Sequence, residues 1–366
     1  MAKVGAASWD VVCAAPRTYH ADYGLARFSP LAGEPCRALG VTAFGTRSPH
    51  LFAYGADLRR LLAERWDAVY AWEEPYVVAG AEIAALSSRQ SVFAFYTFQN
   101  IRKRYPPPFS WLERYTLARA DGWVYSGHSV RAVQERTPGY RDRPSALGPL
   151  GVDLELFRPD AGARASVLTE LGWDDTGPPV IGYVGRFVEE KGLRLLLRAL
   201  TDLRPAWRAL FLGAGPLEPE LRRFAAARAD RVRIVRAAHD RVPAYMNAID
   251  LLCAPSQTAA HWREQFGRMA IEAFACGVPV VASDSGEIPH VVADAGLVIR
   301  EDDTAGFGAA LAELLESPAR RRELRERGLA RAHDVYAWPR VARAHLDFIE
   351  SLRDRRAGSA GGGPRA

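Results

Sequence analysis

A chain of 366 residues with 48% hydrophobic and 25% charged side chains has an ordinary globular composition and the length for about two domains, which excludes a disordered or fibrous protein. Its 48 basic residues exceed the 43 acidic ones for a net charge of +5, an excess spread along the chain that argues against nucleic-acid binding and suits phosphate-bearing substrates or an anionic membrane face, although a solvated Arg-rich surface is the commoner cause. No apolar stretch approaches the roughly 20 residues that span a bilayer, and Met1–Asp10 has neither the basic lead nor the apolar core of a signal peptide, so a secreted or membrane-integral protein is not expected.

In chain order, short apolar runs predict strands at Val11–Ala14, Ala68–Trp72, Val92–Thr97 and Trp123–Ser126, a first α/β domain. Proline and glycine then punctuate Pro149-Leu150-Gly151-Val152-Asp153 and Phe157-Arg158-Pro159-Asp160, where we place a hinge. From Pro179 to Arg300 the alternation is sharper. Strands are predicted at Val180–Val184, Ala209–Leu212, Val232–Val235, Leu251–Ala254, Val278–Ala282 and Leu297–Ile299, with crossover helices such as Gly192–Leu203 and Leu217–Arg228 between them. Runs of Val, Ile and Leu are what parallel strands buried on both faces require, and the order implies a doubly wound α/β domain. After Thr304 the pattern is helical to about Leu352, and the Gly-rich Ala357–Ala366 reads as disordered. The expected division is residues 1–157, residues 158–335, a helix over 336–352 and a tail over 353–366. The four cysteines, Cys13, Cys36, Cys253 and Cys276, show no metal or redox spacing and sit among apolar or small residues, which predicts buried thiols in a reducing cytoplasm.

Three segments carry chemistry. The stretch Gly182-Tyr183-Val184-Gly185-Arg186-Phe187-Val188-Glu189-Glu190-Lys191-Gly192 leaves a strand, turns on glycine and enters a helix. There free N–H groups, the helix dipole, Arg186 and Lys191 favour a phosphate, although two solvated cations on a surface turn would look the same. Phe211-Leu212-Gly213-Ala214-Gly215-Pro216 repeats the strand-to-glycine transition at the C-terminal edge of the same sheet, as a second ligand loop or only a tight turn. The third, Glu264-Gln265-Phe266-Gly267-Arg268-Met269-Ala270-Ile271-Glu272, continues to Ser283 and sets two acids eight positions apart. With a helix starting near Phe266, Glu272 lies about two turns below Glu264, so the two cannot touch the same ligand atom.

This last segment resembles the E-x7-E region of the family 4 retaining glycosyltransferases. Gly185-Arg186, Lys191-Gly192, Gly213-x-Gly215-Pro216, Pro255-Ser256 and Ser283-x-x-Gly286-x-Ile288-Pro289 fall in that family's order, as does the interdomain segment Pro149–Asp153 with Phe157 and Pro159. The resemblance covers Pro149 to Trp338 well and the first half loosely. It implies the GT-B fold, two Rossmann-like domains facing across a cleft, and transfer of a sugar from a nucleotide-diphosphate-sugar to an acceptor with retained anomeric configuration. By the same resemblance Arg186 and Lys191 hold the donor diphosphate, Glu264 lies near the donor sugar, Glu272 binds the ribose, and Val235 meets the base. Backbone groups near Phe266, Gly267 and Arg268 contact diphosphate or sugar. Tyr336-Ala337-Trp338 opens a helix that returns to the N-terminal domain, an architectural role. The donor is a substrate, so no cofactor is implied; no D-x-D pair is placed to hold a metal, and the eight histidines show no ligand spacing.

The first half departs from the family. Its opening strand matches the family's second, so one β-α unit is expected to be missing or to lie upstream. Where many members place a histidine after the strand matching Val92–Thr97, this chain has Phe98-Gln99-Asn100, and an amide is no base at neutral pH. Candidate acceptor-side residues are Glu73, Glu74, Gln99 and Asn100, with solvated loop acids as the plainer reading of the first two. The acceptor is expected to be a sugar, a lipid-linked compound or another small molecule. The basic Arg102-Lys103-Arg104 reads equally as an acceptor loop or a stiff connection, and a basic face there would allow peripheral contact with the inner membrane face. A non-catalytic nucleotide-sugar-binding subunit is the alternative that the trimmed first half motivates.

Overall fold

A computed structural model describes residues 1–5, 8–21, 24–30 and 36–361. The chain forms two compact units, Met1–Pro149 with Pro339–Ala366, and Leu150–Trp338.

In the first unit, β1 (Val12–Pro16) pairs in parallel with β2 (Arg37–Val41), and two short antiparallel hairpins, Thr18–Ala21 with Gly24–Arg27 and Ala43–Phe44 with Ala53–Tyr54, lie beside them in sequence. Next come β3 (Ala68–Ala71), α1 (Val78–Leu86), β4 (Val92–Thr97), α2 (Phe109–Arg119), β5 (Gly122–Tyr125) and β6 (Ser145–Leu147). These strands form a parallel sheet in the order β6-β5-β4-β3. Successive side chains of a strand point to opposite faces, and β4 is buried on both. Phe93 and Phe95 join Trp123 and Tyr125 in one core layer, while Val92, Ala94 and Tyr96 join Val124 in another.

The second unit opens with α3 (Ala161–Glu170), and then β7 (Val180–Val184), α4 (Leu193–Asp202), β8 (Arg208–Leu212), α5 (Glu218–Ala226), β9 (Val232–Val235), β10 (Leu251–Ala254), α6 (Arg268–Ala275), β11 (Val280–Ser283) and β12 (Gly296–Ile299). All six strands are parallel, in the order β9-β8-β7-β10-β11-β12. Alternation again divides the core. Val180, Leu210, Leu252 and Val280 face Leu168, Ile271 and Phe274, whereas Ile181, Phe211, Leu251 and Val281 face Leu196 and Leu311. Leu311 belongs to α7 (Thr304–Glu316), followed by α8 (Pro318–Arg331) and the final α9 (Trp338–Gly361). Phe348, Ile349 and Leu352 of α9 cover the second face of the first unit's sheet.

Four expectations are corrected. Leu150–Phe157 belongs to the second unit, because the Val152 N–H bonds the Tyr336 carbonyl at 2.8 Å, the Trp338 N–H bonds the Val152 carbonyl at 3.3 Å, and Val152 and Phe157 enter its core. The boundaries therefore fall at 149/150 and 338/339, not at 157/158 and 335/336. Tyr336 packs inside the second unit, edge-on to Phe266 at 5.8 Å. The last helix passes Leu352 and continues to Gly361, so the tail expected from residue 353 is helical that far; residues 362–366 lie outside the described ones. Of the thiols expected to be buried, Cys253 and Cys276 are, whereas Cys13 is exposed and Cys36 half-buried. Neither strand that holds or follows these two has a fully covered face. No described helix is long and apolar enough to cross a membrane.

Candidate functional site

The strand order of the second unit reverses between β7 and β10, and open parallel sheets bind ligands at the carboxyl ends of the strands flanking such a reversal. Two glycines let the loops there close up. At Gly192, with φ of +68°, a Cβ would stand 1.7 Å from the Pro255 carbonyl oxygen, so only glycine lets the start of α4 meet the exit of β10. At Gly213, with φ of +153°, a Cβ would stand 1.9 Å from the Gly185 carbonyl oxygen, which brings the exit of β8 onto that of β7. The Gly213 N–H in turn bonds the Val235 carbonyl at 2.9 Å, and the Phe187 N–H bonds the Ala214 carbonyl at 2.8 Å, above Gly215.

Into this junction projects Lys191, which forms an ion pair with Glu264. The same carboxylate oxygen accepts the Ser256 hydroxyl at 2.8 Å, and the ammonium lies 5.1 Å from the centroid of the Trp262 ring. Only 12% of the lysine side chain and 9% of the glutamate side chain are exposed, and charges so far from water interact strongly. The Glu264 carbonyl accepts the Glu287 N–H at 3.0 Å, which ties the loop to the Ser283–Pro289 segment. Arg186 stands exposed on the turn, and its carbonyl accepts the Tyr183 hydroxyl at 2.7 Å.

Glu272 occupies different surroundings. Gly267, with φ of +90°, starts α6, and one turn on from Arg268 the two side chains pair at 3.1 Å, as i,i+4 neighbours do. Burial pushes the Glu272 carboxyl above its ordinary range, against the pull of Arg268 and His239. With Arg268, His239, Trp338 and the Leu150–Phe157 stretch it lines a cavity of about 200 Å³. The structure thus joins Lys191 to Glu264 and separates both from the pocket of Glu272. Among the described residues no group of three or more His, Cys, Asp or Glu is placed to hold a metal.

Ser256, Trp262 and His239 were not singled out from sequence, and Trp338 was assigned to architecture. Pro255-Ser256 was legible as a motif but not as a hydroxyl aimed at Glu264. Trp338 is 41% exposed and lines the pocket of Glu272. Neither Trp262 nor Trp338 has a local signal, since each meets its partner only through the fold.

In the first unit, Glu73 and Glu74 follow β3. The Tyr54 hydroxyl bonds Glu73 at 3.0 Å. Glu74 is filled on both oxygens, by the Thr97 hydroxyl at 2.7 Å and the Phe98 N–H at 2.8 Å. Burial pushes both carboxyls up to about 7, and no lysine or arginine among the described residues pairs with either. Gln99 and Asn100 are buried; the Gln99 side-chain amide donates to the Tyr105 hydroxyl at 2.6 Å, and the Gln99 backbone carbonyl accepts the Gln134 side-chain amide at 2.9 Å. These bonds tie Gln99 into the loop after β4.

A family model described as glycosyl transferases group 1 matches residues 178–317. A lipopolysaccharide core biosynthesis mannosyltransferase of Rhizobium meliloti is 33% identical over 252 residues, which cover 64% of this chain and 70% of that protein. A GDP-mannose-dependent α-(1-6)-phosphatidylinositol monomannoside mannosyltransferase of Mycolicibacterium smegmatis is 33% identical over 218 residues, 57% of this chain but only 56% of its own length. Among solved structures, the sucrose-phosphate synthase of Thermosynechococcus elongatus superposes with a TM-score of 0.69 at 21% identity, covering 98% of this chain and 92% of that one. At that identity the likeness speaks for the fold alone, which is GT-B.

Proposed function

This chain belongs to the group 1 glycosyltransferases, and on that footing we propose that it moves a sugar from a nucleotide-diphosphate-sugar to an acceptor with retention of configuration. The observation that carries this reading is the buried Lys191–Glu264 pair with Ser256 at the strand-order reversal. A departing nucleoside diphosphate gathers negative charge, which a fixed ammonium and the N-terminus of α6 stabilise without reorganising. The sugar meanwhile takes on positive charge, and a carboxylate beside it stabilises that charge or holds hydroxyls, as in glycoside hydrolysis. In this reading Arg186 and Lys191 face the diphosphate and Glu264 the sugar. Glu272 takes the ribose in the pocket with His239 and Trp338, and Val235 with the Gly213–Gly215 loop borders the base.

The test is release of nucleoside diphosphate from a panel that begins with GDP-mannose, the donor named for the M. smegmatis relative, and extends to UDP-sugars. No release and no donor binding across the panel would overturn the proposal. The relatives carry the names of enzymes, which favours a transferase over a non-catalytic binding subunit.

On the acceptor side, Glu73 is the stronger candidate, since Glu74 has both oxygens engaged within the fold. The acceptor reading includes lipid-linked compounds, the class named in the M. smegmatis relative, and with it peripheral contact with the inner membrane face. In the first unit Trp111 and Tyr115, one turn apart on α2, are 58% and 45% exposed, near the exposed Arg102, Lys103, Arg104 and Arg114. Interfacial aromatics next to cations suit an anionic bilayer. Sedimentation with phosphatidylglycerol vesicles should capture the protein, and Trp111→Ala with Lys103→Glu should release it.

A further inference from the structure

At the opposite edge of the second unit's sheet lies a groove of about 630 Å³, walled by the chain entering β10 and β11 and by the first residues of α3 and α8. Its acids are already engaged. Asp160 caps α3 by accepting the Ala163 N–H at 2.8 Å. Asp175 takes Arg164 at 2.7 Å, and Asp250 takes Arg164 at 3.2 Å and the Val180 N–H at 2.7 Å.

Apart from Arg331, which donates to the Val291 and His290 carbonyls, the cations of α8 divide into two sets. Arg320 and Arg327 pair with Glu323, at 2.5 and 2.6 Å. Arg321, Arg322 and Arg325, the three that line the groove, have no carboxylate partner among the described residues. Arg321 donates through one nitrogen to the Leu314 and Leu315 carbonyls that end α7, and Arg325 donates through one to the Gly277 carbonyl at 3.1 Å. A Cβ on Gly277 would meet the Arg325 guanidinium at 2.9 Å, so glycine leaves room for the group against the groove wall. A guanidinium carries five N–H donors, and these backbone bonds leave most of them available. The N-termini of α3 and α8, at the same groove, add partial positive charge.

We propose that this groove binds a small molecule carrying at least two phosphate groups, at a site separate from Lys191 and Glu264. Guanidinium groups match phosphate oxygens two at a time, and three of them, two on one turn of α8 and one on the next, exceed what a single phosphate neutralises. The volume suits a nucleotide-sized compound, and the concave, partly acidic lining disfavours a nucleic-acid strand. The proposal does not rest on the donor reading.

The test is calorimetric titration of inorganic pyrophosphate into the full chain carrying Lys191→Ala, which removes the buried one of the two donor-side cations. Binding should persist in that background and fall at least tenfold when Arg322→Gln and Arg325→Gln are added. Arg322 is exposed and bonded to nothing among the described residues, so Arg322→Gln alone should leave the melting temperature unchanged and still weaken binding severalfold. Orthophosphate should bind at least tenfold more weakly than pyrophosphate. The proposal is overturned by loss of all binding in Lys191→Ala, by unchanged affinity in the double arginine variant, or by equal affinity for the two anions.

Discussion

Removing the ammonium of Lys191 does more than subtract a contact to substrate, because Glu264 is 7% exposed and its buried carboxylate loses the cation it pairs with. Breaking a buried pair from one side typically costs about 3–5 kcal/mol. Lys191→Ala is therefore expected to lower stability by about that much and to weaken donor binding about tenfold or more. Adding Glu264→Gln should restore most of the stability, read by urea denaturation, and none of the donor affinity, read by calorimetry; recovery of both would place the lysine outside the binding machinery. The acceptor carboxylates separate in the same way. Glu73→Gln should raise the acceptor KM and remove a limb near pH 7 from the kcat/KM profile, since its carboxyl is pushed up to about 7 by burial. Glu74→Gln should chiefly lower stability, because it disturbs two bonds that hold the Thr97–Phe98 corner.

At the scale of elements, the turn into α4 exists because residue 192 has no side chain. Gly192→Ala forces a Cβ to 1.7 Å from the Pro255 carbonyl oxygen and should cost several kcal/mol, about 3 or more, seen as a drop in melting temperature with loss of donor binding. Ser317, whose hydroxyl caps α8 by accepting the Arg320 N–H at 3.2 Å, is a milder case. Ser317→Ala should cost about 1 kcal/mol and leave donor binding unaltered. The elements of the second unit were legible because its strands are rich in Val, Ile and Leu and the central ones are buried on both faces: Val180–Val184 and Leu251–Ala254 came out as predicted, as did the half-buried Val232–Val235 at the sheet edge. The strands that escaped notice lack that pattern. Arg37–Val41 opens on an exposed arginine and is only half-buried over most of its length, Ser145–Leu147 has three residues, and each hairpin strand has four or fewer.

For the molecule as a whole, the packing of α9 on the first unit's sheet leaves a titratable group where water does not reach. His345 is 2% exposed, shares a 2.7 Å hydrogen bond with the Tyr70 hydroxyl, stacks on Trp72, and is pushed down to about 4 by burial. Between pH 4 and 6.5 the unfolded chain holds a proton on this histidine that the folded chain does not. Its contribution, about 3 kcal/mol at most, is thus complete above pH 6.5 and lost as pH falls toward 4. Glu73 and Glu74 tilt the opposite way, since carboxyls raised to about 7 lose stability as pH climbs from 4.5 to 7. The measurement is therefore a difference. The gap in unfolding free energy between wild type and His345→Phe should widen with pH from 4 to 6.5 and stay flat above it, and a gap independent of pH would show that the imidazole does not titrate as described.

The residue order by itself determined the α/β class, the family and the segments that build the candidate site, because strand hydrophobicity, glycine turns and the Glu264–Glu272 spacing are local patterns. Tertiary structure alone decided which side chains meet. Lys191 and Glu264 are 73 residues apart and pair because two glycines let three strand exits touch. Trp338 enters the pocket of Glu272 because the Val152 backbone pairs with the chain on either side of Ala337. Arg321, Arg322 and Arg325 lie in a segment read only as helical, and the fold sets them at a groove whose acids are already engaged. Contacts between residues distant in sequence depend on the packing of whole elements, and no local pattern encodes them.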